Sequence, residues 1–123
     1  MAEEKIFTID VEGNNTIKIS EEVICTIIGL GAVEAEGVHS LVGNLDKDSI
    51  VKVNPAKILK AIKVERNGDN TVVIDINVAF NYGYEIPKVC AVIQDKVKSA
   101  VETMTDLKVS GINIHVVSVV MPA

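Results

Sequence analysis

The sequence predicts an α+β fold: one two-layer domain, residues 1–123, with a mostly antiparallel sheet and two main helices on one face. Two segments show the 3.6-residue period of amphipathic helices, and others alternate apolar and polar residues as strands do. The chain has no Trp, two Phe and two Tyr, so its core must rely on Val, Ile, Leu and Ala. Such a core suits a β-branched sheet covered by helices. The expected order is βαββαβ-like with a short N-terminal hairpin.

The first predicted element is a hairpin within residues 6–19. Apolar and polar residues alternate in "KIFTIDV" and again in "TIKI", and "EGNN" between them supplies turn residues. Ser20 then provides a hydroxyl N-cap, and Glu21 and Glu22 place negative charge in the first turn, where the helix dipole favours it. We therefore expect one helix over residues 20–36.

The stretch "ICTIIGLGAVEAEG", residues 24–37, has a second interpretation, as a strand leading into the G-x-G turn of a dinucleotide-binding enzyme. That turn needs a third glycine where this chain has Glu34, whose carboxylate would repel the phosphates. The helical interpretation is therefore favoured, and Gly37 is expected to end the helix. Gly31 would let the sheet or a neighbouring helix approach closely, and Gly29 is expected to face another subunit.

The middle of the chain carries weaker signals than its two flanks. Residues 38–60 are expected to form a long connection with partial order, in which Pro55 opens a single helical turn through Lys60. Beyond it, the alternation in "AIKVERNGDNTVVIDINVAFN" predicts a two-stranded antiparallel hairpin with one wet face.

The C-terminal part predicts a second helix and a final strand. A continuous apolar stripe from Ile86 to Met104 indicates the helix and leaves Gln94 and Glu102 on its solvent side. The stretch "LKVSGINIHVVSVV" predicts the strand, with His115 on its outer face.

The composition restricts the classes of partner. The formal net charge of −5 argues against nucleic acid or an anionic lipid surface as the main partner, because both require a basic face. No apolar run approaches the roughly 18 residues of a membrane-spanning helix. The acidic start "MAEEK" is unlike a secretory signal. We therefore expect a cytoplasmic protein without direct membrane insertion.

No catalytic, cofactor-binding or metal-binding residue is expected. Cys25 and Cys90 match no zinc or redox spacing and are expected to be reduced core thiols. Cys25 falls in the first turns of the predicted helix, but no base or resolving thiol can be assigned to it. His39 and His115 each lack a second ligand at helical spacing and a nucleophile to activate.

The stretch "ISEEVICTIIGLGAVEAEGVHSL" resembles the first block of the alkaline shock protein family, which comprises general and envelope stress proteins of Gram-positive bacteria. "YGYEIPKVCAVIQDKVKSAVETMTDLKVSGINIHVVSV" resembles its second block. The resemblance covers about residues 16–120. Asp106 and Ser118 stand where the family commonly has glycine, and the middle segment lacks the Arg-Gly-Val lead into its strand.

The resemblance implies a small, non-enzymatic cytoplasmic protein. One hypothesis is that it self-associates through a sheet edge or a helix face and binds another protein. Some relatives gather beneath the membrane through a membrane-anchored partner and contribute to envelope homeostasis, while others are linked to control of fatty-acid synthesis. The candidate interaction surface comprises Gly29, Tyr82 and Tyr84, with the tyrosines as aromatic anchors. Either tyrosine could instead only pack the "YGYEIP" turn. A different class also stays open: a small-ligand-sensing domain that controls a metabolic enzyme.

Overall fold

The computed structural model describes residues 6–43, 45–52 and 55–121. The predicted two-layer α+β class is confirmed, with helices packed against one face of a four-stranded sheet and a separate N-terminal hairpin. The elements in chain order are β1 Ile6–Asp10, β2 Thr16–Ser20, α1 Glu21–Val33, β3 Val38–Leu41, α2 Lys47–Lys52, α3 Pro55–Ile58, β4 Ile62–Arg66, β5 Thr71–Asn81, α4 Ile86–Thr105 and β6 Lys108–Val120.

The N-terminal hairpin forms as predicted but lies outside the main sheet. β1 and β2 pair antiparallel as a two-stranded sheet of their own. Successive side chains of a strand point to opposite faces, so Phe7 and Ile9 lie on the same face of β1. Both are buried in the shared core. The Arg66 guanidinium donates a hydrogen bond to the Thr8 carbonyl oxygen at 2.6 Å and lies 5.9 Å from the centre of the Phe7 ring. These contacts tie the hairpin to the end of β4.

The first helix is continuous through both glycines of the "IIGLG" stretch, as the helical interpretation predicts. Ser20 is its N-cap, and the Ser20 hydroxyl accepts a hydrogen bond from the Val23 amide at 3.3 Å. The helix ends at Val33, three residues before the predicted end at residue 36. Gly37, with φ of +103°, therefore belongs to the turn that follows the helix.

The prediction of a long, partly ordered connection over residues 38–60 is wrong in detail. Residues 38–41 form β3, which pairs antiparallel with β5, and residues 47–52 form α2. The predicted helical turn at Pro55 is confirmed as α3 but ends at Ile58. β3 and α2 have four and six residues, too few for a clear period in the sequence.

β5 is the centre of the main sheet. β3 and β4 pair antiparallel with its two ends, and β6 pairs with it in parallel along its whole length. The helix α4 makes the crossover between β5 and β6 that a parallel pair requires. The sheet is thus antiparallel except for its longest pairing, which leaves β6 at an edge.

Both long helices cover the same face of the sheet. Alternate residues of β5 are fully buried on the helical side, namely Val72, Ile74, Ile76, Val78 and Phe80. α1 packs against α4, and a Cβ built at Gly31 would lie 3.6 Å from the Val97 Cα, so this glycine sits at the close approach of the two helices. The predicted apolar stripe of α4 fails at its end, since the Met104 side chain is exposed.

Candidate interaction surface

Three elements converge beside the "YGYEIP" turn: the end of β5, the start of α4 and the end of β6. The Tyr82 amide donates to the Val120 carbonyl oxygen at 2.9 Å and carries the β5–β6 pairing one residue beyond the strand. Gly83, with φ of +102°, then reverses the chain in a conformation that other residues rarely adopt. Pro87 lies in the first turn of α4, where its missing amide hydrogen leaves no bond unmade.

This convergence exposes large apolar side chains that the core leaves uncovered. Tyr82 is 62% exposed, and Val119 is 47% exposed at the end of β6. A cavity of about 370 Å³ opens between them and is also lined by Tyr84 and Ile86. Val117 and Met121, on either side of Val119 along the chain, are exposed as well. We call this set the edge patch; it comprises Tyr82, Tyr84, Ile86, Val117, Val119 and Met121.

The structure assigns different surroundings to the two tyrosines. The Tyr84 ring packs over Gly37, where an added Cβ would lie 2.9 Å from the ring Cγ, and its hydroxyl lies 3.5 Å from a Glu36 carboxylate oxygen. Tyr84 therefore holds the turn against the end of α1 while remaining 42% exposed. Tyr82 is held through its backbone, and its side chain is the more exposed of the two.

The expectation that Gly29 faces another subunit is wrong. Gly29 is buried within the chain, and a Cβ built there would lie 3.2 Å from a Leu41 methyl group, 3.4 Å from Ile50 and 3.5 Å from Ile62. These neighbours belong to β3, α2 and β4. The sequence analysis did not predict β3 or α2. Gly29 therefore lets α1 approach its own core, and it lies away from the edge patch.

Sequence reasoning missed the contribution of β6 to this surface. Its alternation places Ile112, Ile114 and Val116 inward, and all three are half-buried. The alternation breaks at the "VVSVV" end, where the pairing with β5 shifts between Val78 and Ala79. Consecutive apolar residues at a strand end cannot all face one core. The break in alternation at the end of β6 is therefore the feature of the sequence that indicates exposed apolar side chains there.

The open face of the sheet is polar, in contrast to the edge patch. Asp75 lies at its centre, where its carboxylate accepts a hydrogen bond from the Asn113 amide at 3.1 Å and lies 3.7 Å from the His115 ring nitrogen. Lys63 and Glu65 lie on the neighbouring strand, 3.6 Å apart. These groups are solvated, so such pairs contribute little to stability.

The two thiols also differ. Cys25 is fully buried, and its sulfur lies 3.8 Å from the Ile62 carbonyl oxygen. Cys90 is partly exposed on α4, and desolvation raises the pKa of its thiol.

Among the residues that the structure describes, no group of three or more side chains is arranged to hold a metal ion. Within the same residues, every helix is too short or too polar to cross a bilayer.

Comparison with known proteins finds relatives along most of the chain. Spy1535 of Streptococcus pyogenes is 38% identical over 104 residues, which cover 85% of this chain and 78% of the relative. YqhY of Bacillus subtilis is 32% identical over 103 residues, with 84% and 76% covered. Among solved structures, a variant of MamM CTD aligns with a TM-score of 0.48 and 11% identity over 80% of this chain and 98% of that one.

The family match agrees with the resemblance seen in the sequence. Residues 10–121 match the alkaline shock protein 23 family, which is described as having a cell envelope-related function. The matched range runs from the end of β1 past the end of β6, so it includes the edge patch. The chain therefore belongs to the alkaline shock protein 23 family.

Proposed function

We propose that this protein is a non-enzymatic interaction protein of the cell envelope, which self-associates and binds a protein partner through the edge patch. The observation that carries this proposal is the position of the patch, at the end of an edge strand. Exposed groups of apolar side chains mark protein interaction sites, and aromatic side chains are enriched there. The backbone of an edge strand adds hydrogen-bonding groups that a partner can use.

The non-enzymatic part of the proposal is supported by the surroundings of the most reactive groups. The Cys25 thiol is 0% exposed, so a substrate has no access to it in the folded chain. The raised pKa of Cys90 lowers its thiolate fraction at neutral pH, opposite to what a nucleophile requires. The His115 ring nitrogen lies 3.7 Å from the solvated Asp75 carboxylate on the open sheet face, and the side chain is itself largely exposed.

The cellular part of the proposal follows the family's envelope-related function. In this proposal the protein is cytoplasmic and is held at the membrane by a membrane-anchored partner rather than by inserting into the bilayer. Cell fractionation in a Gram-positive host tests it with two variants. Val119→Glu, in the edge patch, is expected to move from the membrane fraction to the soluble fraction. Met104→Glu, at a more exposed side chain near the C-terminal end of α4, is expected to stay in the membrane fraction.

Self-association is tested with the same two variants by sedimentation velocity across a range of concentrations. We expect Val119→Glu to weaken association roughly tenfold or more, as loss of a central apolar contact does. Met104→Glu adds the same charge outside the patch and is expected to leave association unchanged. Equal weakening by both variants, or by neither, would contradict the proposal.

A second candidate, a small-ligand-sensing domain, is favoured by one observation. A groove of about 520 Å³ lies between α1 and α4, with Ile27, Leu30 and Ala100 among its apolar lining and Lys96 among its charged residues. Its volume is in the range of small-molecule sites. A thermal-shift screen with amino acids, nucleotides and acyl-CoA compounds tests it. A shift with one class that Ala100→Trp abolishes would support this function, and no shift with any class would reject it for these ligands.

A further inference from the structure

The two halves of β6 differ in whether other parts of the chain form hydrogen bonds with the side of the strand that faces away from β5. β6 has 13 residues and pairs along one side with β5. In the first half of β6, side chains of α4 form hydrogen bonds with the strand's backbone groups. The Glu102 carboxylate accepts a hydrogen bond from the Val109 amide at 3.0 Å, and the Gln94 side-chain amide donates to the Ile112 carbonyl oxygen at 3.1 Å. We call Gln94 and Glu102 the edge guards.

The second half of β6, residues 114–120, has no such guard among the described residues. Its sequence is Ile-His-Val-Val-Ser-Val-Val, which contains five β-branched residues that favour strands and no Asp, Glu, Lys or Arg. Natural proteins usually protect a long exposed edge with charges, prolines or a covering element. The first half is protected by α4, so the open second half indicates a surface that is covered by a partner.

We propose that residues 114–120 pair antiparallel with the same segment of a second copy of this chain. This inference rests on the proposed self-association and specifies its geometry. A two-fold axis perpendicular to the sheet reverses the strand direction and keeps both helical layers on one side, so two four-stranded sheets become one continuous sheet. The same rotation brings the two edge patches to one interface.

Charge favours a second copy as the occupant. The protein carries a net charge of −5, so most contacts between two copies would oppose like charges. The segment 114–120 contains no acidic residue, and the exposed Val117 and Val119 beside the edge are apolar in both copies. Two copies can therefore meet here without like charges facing each other across the strands.

The edge guards set the length of the pairing. A partner strand that ran on past Ile112 would have to displace the Gln94 amide, and one that reached Val109 would have to displace the Glu102 carboxylate. Each displacement leaves a polar group in need of another partner. The pairing therefore stops at the second half of β6, and slipped registers that would propagate from copy to copy are disfavoured.

Disulfide scanning tests the geometry directly. The background variant is Cys90→Ser, which removes the partly exposed thiol, while the native Cys25 is fully buried and does not crosslink in the folded protein. Single cysteines are then introduced along β6, and the fraction of crosslinked dimer is measured after mild oxidation. A separate light-scattering measurement gives the mass of each variant under reducing conditions.

The expected result is a peaked profile. In a two-fold antiparallel pair, the residue on the axis lies about 4.5–5.5 Å (Cα to Cα) from the same residue of the second chain. For each residue further along the strand, the distance to its equivalent in the second chain grows by roughly 7 Å. Disulfides form only at Cα separations up to about 7 Å. Pairing of residues 114–120 with the same residues of the second copy places the axis at residue 117, so we expect the strongest crosslinking at Val117→Cys and none at Lys108→Cys or Ser110→Cys.

Each failure has a distinct meaning. A monomeric mass at every concentration would contradict the proposed self-association itself. A dimeric mass with no crosslink at any β6 position, with a flat profile, or with a maximum at 108 or 110 would overturn the strand pairing alone. The double variant Gln94→Ala and Glu102→Ala, which removes the edge guards, is expected to form species larger than the dimer. An unchanged mass for it would overturn their proposed role.

Discussion

Replacing Gly37 with alanine tests how the Tyr84 ring is held at the edge patch. The new Cβ would lie 2.9 Å from the Tyr84 Cγ and 2.9 Å from a Val89 methyl carbon. The backbone φ of +103° adds strain of its own. Gly83 is a matched control, because its φ is +102° but nothing lies within 4 Å of a Cβ built there. The two substitutions share the backbone strain and differ in the steric conflict.

The magnitude follows from these two contributions. Backbone strain of this kind costs about 1–3 kcal/mol and should lower the stability of both variants. Overpacking against Tyr84 and Val89 adds about 1–3 kcal/mol at Gly37 alone. For a domain of this size, 1 kcal/mol shifts the melting temperature by roughly 4 °C. Gly37→Ala is therefore expected to melt roughly 4–12 °C below Gly83→Ala.

Differential scanning calorimetry at several protein concentrations measures the difference apart from any self-association. Adding Tyr84→Ala to Gly37→Ala removes one of the two conflicting side chains and is expected to lessen the destabilisation that the Gly37 substitution causes. Equal melting temperatures for Gly37→Ala and Gly83→Ala would refute the steric reasoning. They would also show that Tyr84 does not depend on Gly37 for its position.

Two further predictions concern helix ends. Asp106 adopts a left-handed conformation, φ +63°, after α4, so Asp106→Gly is expected to raise the free energy of unfolding by up to about 1 kcal/mol in urea titrations, whereas Asp106→Val should lower it. The Ser49 amide donates to the Asp46 carboxylate at 2.9 Å and lowers the pKa of Asp46 below 3.8. This stabilisation is present above that ordinary value and is lost as the pH falls through the lowered pKa. Asp46→Ala should therefore be less stable than wild type at pH 7, with the difference shrinking in acid; a pH-independent difference would contradict this.

The long elements could be predicted because local signals and tertiary packing agree there. Ser20 caps α1 in the structure as the sequence indicates, and the alternation of β4 and β5 gives an antiparallel hairpin with a buried and a wet face. Gly37 was correctly placed near the end of α1 but not at the helix boundary. The last residues of a helix depend on nearby contacts as well as on propensity, and Tyr84 supplies such a contact at Gly37.

The interaction surface could be predicted only in part. The "YGYEIP" turn stands out in the sequence, whereas the role of β6 depends on its parallel pairing with β5, which no local pattern specifies. Gly29 was misplaced because the elements that it packs against, β3 and α2, are too short to recognise. Gln94 and Glu102 lie on the predicted solvent side of α4, and only the tertiary structure shows their bonds to the β6 backbone.

Hydrogen exchange at low and high protein concentration tests the central claim most directly, that the open half of β6 and the edge patch form the interaction surface. Peptides that cover residues 114–121 should exchange more slowly as the concentration rises. Peptides from β4, which lies on the other side of β5, and from residues 108–112, where Glu102 and Gln94 bond the Val109 amide and the Ile112 carbonyl oxygen, should not change. Concentration-dependent protection in α1 or β4 with none at residues 114–121 would contradict the account.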